Sequence, residues 1–178
     1  MTSGAKTAAG PATAGSHGRA GSAWRVVWIG LVAGSLDIGE NLIYNAFRHI
    51  TPAMVFRYVA SGLAGTRHAI AWGAAGVALG VVVHYLIALS WTAVFYVASR
   101  RWRVLTRRPV ASGLGFGLVV FAVMNFVAVP RSGVPHPLPP MTLAHVLNAL
   151  APLLFCIGLT VALLTARFAP PPPPPPPR

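Results

Sequence analysis

The sequence predicts an all-α integral membrane protein, a bundle of four transmembrane helices with a short interfacial or re-entrant helix between the first and second. The first supporting observation is composition: hydrophobic residues make up 55% of the 178 residues and charged residues only 9%, whereas soluble domains average about 25% charged residues. A soluble fold with so few charges cannot cover its surface, so a cytosolic enzyme or soluble binding domain is excluded. The second is the presence of four apolar stretches, each reaching the ~20 residues that cross ~30 Å of hydrocarbon.

These stretches set the domain organisation. Each is predicted to be helical, because a chain in hydrocarbon has to satisfy its own backbone hydrogen bonds. The predicted spans are 24–47, 69–99, 110–129 and 143–168, so the transmembrane domain covers 24–168. The preceding segment, 1–23, is rich in Gly, Ala and Ser and is predicted to be a disordered cytoplasmic arm. The following segment, 169–178, is a polyproline tail, which is predicted to be extended.

Two connections have their own predicted structure. Thr51 followed by Pro52 is typical of a helix start, with a hydroxyl N-cap and proline at the first helical position. A helix over 52–64 is too short to span, so it should lie in the interface or dip into the bundle. The connection 130–140 contains five prolines and is predicted to be extended and stiff.

The basic residues predict orientation. With the amino terminus inside, ten of the fourteen Lys and Arg residues flank the inner ends of the spans and four lie in the outer loops. The strongest part of this bias is a cluster of five arginines between the second and third spans. By the positive-inside rule, both termini should be cytoplasmic. Because the positive charges flank spans and form no single basic face, no nucleic-acid partner is predicted.

Small and polar residues follow one face of each predicted helix, which is typical of helix contact in membranes. The glycine faces predict packing within the bundle or in a homo- or hetero-oligomer, surrounded by membrane lipids. The polar residues in the half of the bundle nearer the short helix predict a pocket that opens outward. The candidate pocket residues are Asp37, Glu40, Asn41, His84, Asn125, His145 and Asn148.

The two carboxylates are the most informative residues about a possible function. Asp37 and Glu40 are the only acidic residues of the chain, and both fall within the first span. A charged side chain at the bilayer centre costs at least ~2.5–3.5 kcal/mol, so an intramembrane acid is a functional candidate by default. The alternative is that the carboxyls are protonated or paired and only hold helices together. For Glu40, the available partners are Arg48, Arg57 and Arg67 of the first outer loop.

No catalytic, metal or cofactor set is predicted. The lone Cys156 excludes a multi-cysteine zinc site or a dithiol pair, and a single glutamate excludes a carboxylate-bridged di-iron bundle. Haem held between His84 and His145 is not predicted, because their depths differ by about 15 Å at the helical rise.

Several segments resemble a family of small bacterial inner-membrane proteins of unknown function, the YagU-like group. The similar segments are VAGSLDIGENLI, FRYVASGLAG, GVALGVVVHYLIALSWTAVFYVASRR, GFGLVVFAVMNFVAVP and LAHVLNALAPLLFCIGL. They cover about residues 30–165. The resemblance implies a location in the bacterial cytoplasmic membrane, and it carries no established activity.

Three functions are compatible with these features. A structural or partner-binding membrane subunit is favoured, because four helices are few for a transporter built from internal repeats. The alternative is a small transport or proton-linked membrane protein that uses Asp37 or Glu40 together with His84. The third is a membrane enzyme acting on a lipid-soluble substrate.

Overall fold

The computed structural model describes residues 14–138, 140 and 142–168, with side chains from residue 21 onward. The helices are α1 (Ala14–Ala46), α2 (Pro52–Ala64), α3 (Thr66–Ala71), α4 (Ala74–Arg101), α5 (Val104–Arg107), α6 (Pro109–Val123), α7 (Leu143–Pro152) and α8 (Thr160–Arg167). A π-helical segment, Met124–Ala128, and a 3₁₀ turn, Val129–Arg131, continue α6, and a second π-helical segment, Leu153–Leu159, joins α7 to α8. No strand occurs in the described ranges.

Four helical runs are long and apolar enough to cross a membrane. They are Gly21–Ala46, Ala74–Arg101, Pro109–Arg131 and Leu143–Arg167, numbered here as the first to fourth spans. Each span exposes large apolar side chains that suit contact with lipid, for example Trp28, Leu86, Phe126 and Phe155. The predicted fold class, an all-α bundle of four membrane helices, is confirmed.

The helix boundaries differ from the predicted ones at two places. The first helix begins at Ala14, ten residues before the predicted start, because lengthening an existing helix needs no new nucleus. The predicted second stretch, 69–99, is divided into α3 and α4 by a turn at Gly73, whose φ of 54° is a conformation that side-chain-bearing residues avoid. Residues 1–13 of the predicted arm and the polyproline tail 169–178 lie outside the described residues.

The short helix α2 is packed into the bundle. The Thr51 side chain accepts a hydrogen bond from the Met54 amide at 3.4 Å, which confirms the predicted cap. On α4, the position of a Cβ at Gly80 is occupied by the Phe56 carbonyl of α2. Gly80 lies six residues into the second span, about 9 Å along its axis. This depth favours the re-entrant alternative over a helix that only rests on the interface.

The loop 130–140, between the third and fourth spans, folds back onto α2 instead of extending away. The Gly133 amide donates to the Gly62 carbonyl at 2.9 Å, and the Val134 side chain is 6% exposed. The prolines therefore stiffen the loop without keeping it away from the bundle. The end of the bundle formed by α2 and this loop is called the α2 end. The opposite end carries Arg100, Arg101, Arg103, Arg107 and Arg108 and is called the arginine end.

Glycines bring the backbones of neighbouring spans together. Gly30 and Gly34 of α1 face Leu89 and Ala88 of α4. Gly113 and Gly117 of α6 face the second π segment, where Gly158 lies against the Gly113 carbonyl. These glycine faces are thus occupied by contacts within the chain.

The second and third spans approach each other differently, through aromatic rings. Phe116 of α6 lies edge-on to Phe95 and Trp91 of α4, with ring centroids 5.0 and 5.9 Å apart. Phe95 belongs to the buried core, with Ile29, Ala33, Ala88, Ile157, Val161 and Ala162. The rings fill the space between the two spans over part of their length. Towards the α2 end, that space is a cavity.

Candidate functional site

A cavity of about 360 Å³ lies between α1, α2, α4 and the third and fourth spans, within the roughly 300–1,000 Å³ range of small-molecule sites. Its polar lining side chains are Asp37, Tyr58, His84 and Ser132. The apolar part of the lining is formed by Val59, Gly62, Leu63, Val83, Ile87, Ala88, Val120, Met124, Ala128, Val129, Val134, Leu153 and Ile157. An apolar wall with a few convergent polar groups is typical of a ligand site.

The cavity has an exposed end and a buried end. Leu63 of α2 is 73% exposed, and Ala128 of the third span is also exposed. At the other end, Val120 and Ile157 are buried. The opening thus lies beside α2 and the third span, where an apolar molecule reaches it from the membrane or its interface.

Asp37 and His84 lie at the same level of the bundle. Asp37 is nine residues from the end of α1 and His84 ten residues from the start of α4, so each is about 14–15 Å from the α2 end of its helix. The carboxylate of Asp37 and the imidazole of His84 interact electrostatically. Of the seven predicted pocket residues, these two line the cavity.

The hydrogen bond of His84 determines which of its nitrogens carries a proton. Nε2 lies 2.9 Å from the carbonyl oxygen of Gly34 on α1. Because a carbonyl oxygen only accepts, Nε2 is the protonated nitrogen in either charge state. In neutral His84, Nδ1 is therefore the site that can take up a second proton. The imidazole ties α4 to α1 through Nε2 and leaves Nδ1 as the nitrogen that can bind a second proton.

Tyr58 and Ser132 add hydrogen-bonding groups near the α2 end. Partial burial raises the pKa of the Tyr58 phenol above its ordinary value of 10.0. A raised pKa favours the protonated form, so the phenol is a neutral donor over the physiological range. Ser132 Oγ donates to the Val129 carbonyl at 2.8 Å, which leaves its lone pairs as acceptors.

Both π-helical segments contribute to the wall. Met124 and Ala128 come from the first segment, and Leu153 and Ile157 from the second. Each segment has a proline beside it, Pro130 or Pro152, whose missing amide removes one helical hydrogen bond. Such π turns are frequent at functional sites.

Glu40 is outside the cavity wall, and its predicted ion pair is not formed. Its Oε2 atom is buried and has no hydrogen-bond partner among the described residues. Arg48 instead donates to the Tyr44 hydroxyl at 3.5 Å, and Arg57 donates to the Gly73 carbonyl at 3.4 Å. Arg48 and Arg57 thus bond to a tyrosine hydroxyl and to the turn before α4, and not to Glu40.

The other four predicted residues are not brought onto the wall either. The side-chain amide of Asn125 donates to the Phe121 carbonyl of its own helix at 3.0 Å. Asn41 accepts from the Asn45 amide at 3.0 Å, also within one helix. His145 and Asn148 are half-buried on α7. The side chains of Asn41 and Asn125 are therefore bonded within their own helices.

Tyr58 and Ser132 line the cavity although neither was among the predicted pocket residues. Tyr58 belongs to the helical pattern of the short helix, but only the packing of α2 against α4 shows that its face lines a cavity. Ser132 carried no usable signal, because it lies in an irregular loop whose fold-back depends on the Gly133–Gly62 bond.

The described residues contain no group of three or more His, Cys, Asp or Glu side chains able to hold a metal ion. The thiol of Cys156 on the fourth span lies near enough to Asp37 and Glu40 to interact with them electrostatically. The polar side chains of the cavity wall can take part in proton transfer, hydrogen bonding and ion pairing.

Comparison with protein-family models, curated proteins and solved structures finds no match to this chain.

Proposed function

We propose that this protein is a small, proton-linked carrier or binding protein for a largely apolar molecule, with Asp37 as the proton-accepting group and His84 as its partner. One observation carries the proposal: a cavity of about 360 Å³ has the Asp37 carboxylate and the His84 imidazole on the same wall. A pair of titratable groups inside a bilayer is costly, so such a pair is a functional candidate by default. Glu40 has no place on this wall and is not assigned a role.

The location and orientation belong to the same proposal. The arginine end, with its five exposed arginines, faces the cytoplasm, and the α2 end faces outward. The resemblance of residues 30–165 to the YagU-like group supports the bacterial cytoplasmic membrane. The cavity then opens towards the outer leaflet.

A structural or partner-binding subunit is the second candidate function, and two hydrogen bonds favour it. His84 Nε2 bonds to the Gly34 carbonyl, and the Tyr85 hydroxyl lies 2.9 Å from Ser35 Oγ. Both bonds join α4 to α1, as polar residues do when they only specify helix packing. Under this alternative, removal of the Asp37 charge should leave stability unchanged or increased.

Infrared difference spectroscopy of the purified protein between pH 8 and pH 4 separates the two candidates. The chain has only two acidic side chains besides its terminal carboxyl, so the carboxyl region of the spectrum is simple. The proposal expects a carboxyl band that appears on acidification, is lost in Asp37→Asn and persists in the matched variant Glu40→Gln. In His84→Gln, the pH at which this band appears should change, because the imidazole and the carboxylate interact.

The opposite results overturn the proposal. A spectrum unchanged by Asp37→Asn means that Asp37 exchanges no proton in this range. If the pH at which the band appears is the same in His84→Gln as in the wild type, the two groups do not act as a pair. Either result, with normal insertion and stability of the variants, leaves the packing role as the explanation of both residues.

A further inference from the structure

The charge of the cavity wall limits what it can hold. Among the described lining residues there is no Lys or Arg, and Asp37 is the only carboxylate. With Asp37 ionised and His84 neutral, the wall carries one negative charge. With His84 protonated, the pair is balanced. An anionic ligand would therefore meet a carboxylate without a fixed cation.

The groups around Asp37 do not change this balance. Glu40 on its own helix and Cys156 on the fourth span also interact with it electrostatically, and neither supplies positive charge. Tyr58 on α2 contributes a neutral phenol. Of the titratable groups that face Asp37, only His84 can provide a balancing cation from the protein.

The rest of the wall suits an apolar body. Leucine, isoleucine, valine and methionine side chains form most of it, and the aromatic ring of Tyr58 lies at the α2 end. Aromatic faces attract organic cations, most strongly where water is excluded. A ligand with one positive charge and an apolar remainder would satisfy both parts of the wall.

We infer that the cavity takes a monovalent organic cation with an apolar body, such as a protonated or quaternary amine, which replaces the proton of His84 as the counter-charge of Asp37. This inference rests on the proposed function and names its ligand class. Acidification should weaken binding, because protons on His84 or Asp37 remove the net negative charge that attracts the cation.

The test compares two molecules of the same shape, benzyltrimethylammonium and its uncharged carbon isostere neopentylbenzene, by equilibrium dialysis against the full chain in non-ionic detergent. The wild-type protein should bind the cation at least about tenfold more tightly than the isostere at pH 7.5. The preference should decrease as the pH is lowered to 5. Protein-free micelles give the background partition of each probe.

Three variants show where binding occurs. Asp37→Asn should weaken binding of the cation by at least about tenfold and change binding of the isostere little. Val83→Trp places an indole in the cavity and should abolish binding of both probes. Its matched control is Val82→Trp, since Val82 is the adjacent residue of α4 and is exposed; this variant should bind as the wild type does.

Each other outcome is decisive. Equal binding of both probes, blocked by Val83→Trp, overturns the cationic ligand class and leaves a carrier of neutral molecules standing. A cation preference that survives Asp37→Asn also overturns the inference, because another group then supplies the charge. If neither probe binds the wild-type protein, the inference fails, whereas the proton exchange of Asp37 is judged separately by its infrared band.

Discussion

Substitutions at two glycines of α6 test directly how tightly the third and fourth spans are packed. A Cβ added at Gly117 would lie 2.5 Å from the Leu153 carbonyl oxygen and 2.7 Å from Leu154 Cα. Both are backbone atoms of the fourth span, so they cannot move aside as a side chain could. A Cβ added at Gly115, two residues earlier, would meet nothing within 4 Å. Gly117→Ala and Gly115→Ala are therefore a matched pair.

The expected difference follows from two opposing effects. In both variants, replacing a helical glycine by alanine stabilises the helix by about 0.5–1 kcal/mol. Only Gly117→Ala forces two backbones apart, and overpacking of this kind costs about 1–3 kcal/mol. Because the gain in helix stability is the same in both variants, the difference in unfolding free energy between them should be about 1–3 kcal/mol.

Thermal unfolding in non-ionic detergent, followed by tryptophan fluorescence at one scan rate, measures this difference. For a chain of this size, 1 kcal/mol corresponds to about 2–4 °C, so Gly117→Ala should melt about 2–12 °C below Gly115→Ala. Gly115→Ala should melt at or slightly above the wild-type temperature. Equal melting temperatures, or a more stable Gly117→Ala, would refute the close approach of the two spans at Gly117.

Three further predictions concern the ends of the bundle. Reporter fusions after Arg103 should be cytoplasmic and a fusion after Gly133 external, because the arginine end carries most of the positive charge; an external fusion at Arg103 would reverse the proposed orientation. In a Cys156→Ser background, a cysteine at Val55, 8% exposed, should react with a membrane-impermeant thiol reagent far more slowly than one at Leu63, 73% exposed; equal rates would mean that α2 is not packed on α4. Since partial burial raises the pKa of the Tyr58 phenol, the phenolate absorbance that is lost in Tyr58→Phe should develop in the wild type only above pH 10; ionisation of Tyr58 below pH 10 would contradict this partial desolvation.

The hydropathy pattern and the local rules of helix capping determined which helices this protein forms. Four apolar runs long enough to cross a bilayer are helices for one reason, the absence of water for the backbone. The start of α2 followed from Thr51 and Pro52, because capping depends on adjacent residues alone. Asp37 and His84 were candidates from the sequence because polar side chains are costly in hydrocarbon wherever the helices finally pack.

The tertiary structure decided which candidates meet. Periodicity shows which residues share a face of one helix, but not how far that helix is rotated or displaced relative to its neighbours. Two π-helical segments add to this uncertainty, since each extra residue in a turn rotates the following face by about 100°. Asn125 lies within the first of these segments and bonds to its own helix. Asp37 and His84 share the cavity because the glycine contacts between α1 and α4 align the two residues at the same height in the bundle. The helix α2 then closes the space above them through its backbone contact at Gly80. Contacts of this kind join residues far apart in the chain, so their geometry depends on the packing of the whole bundle.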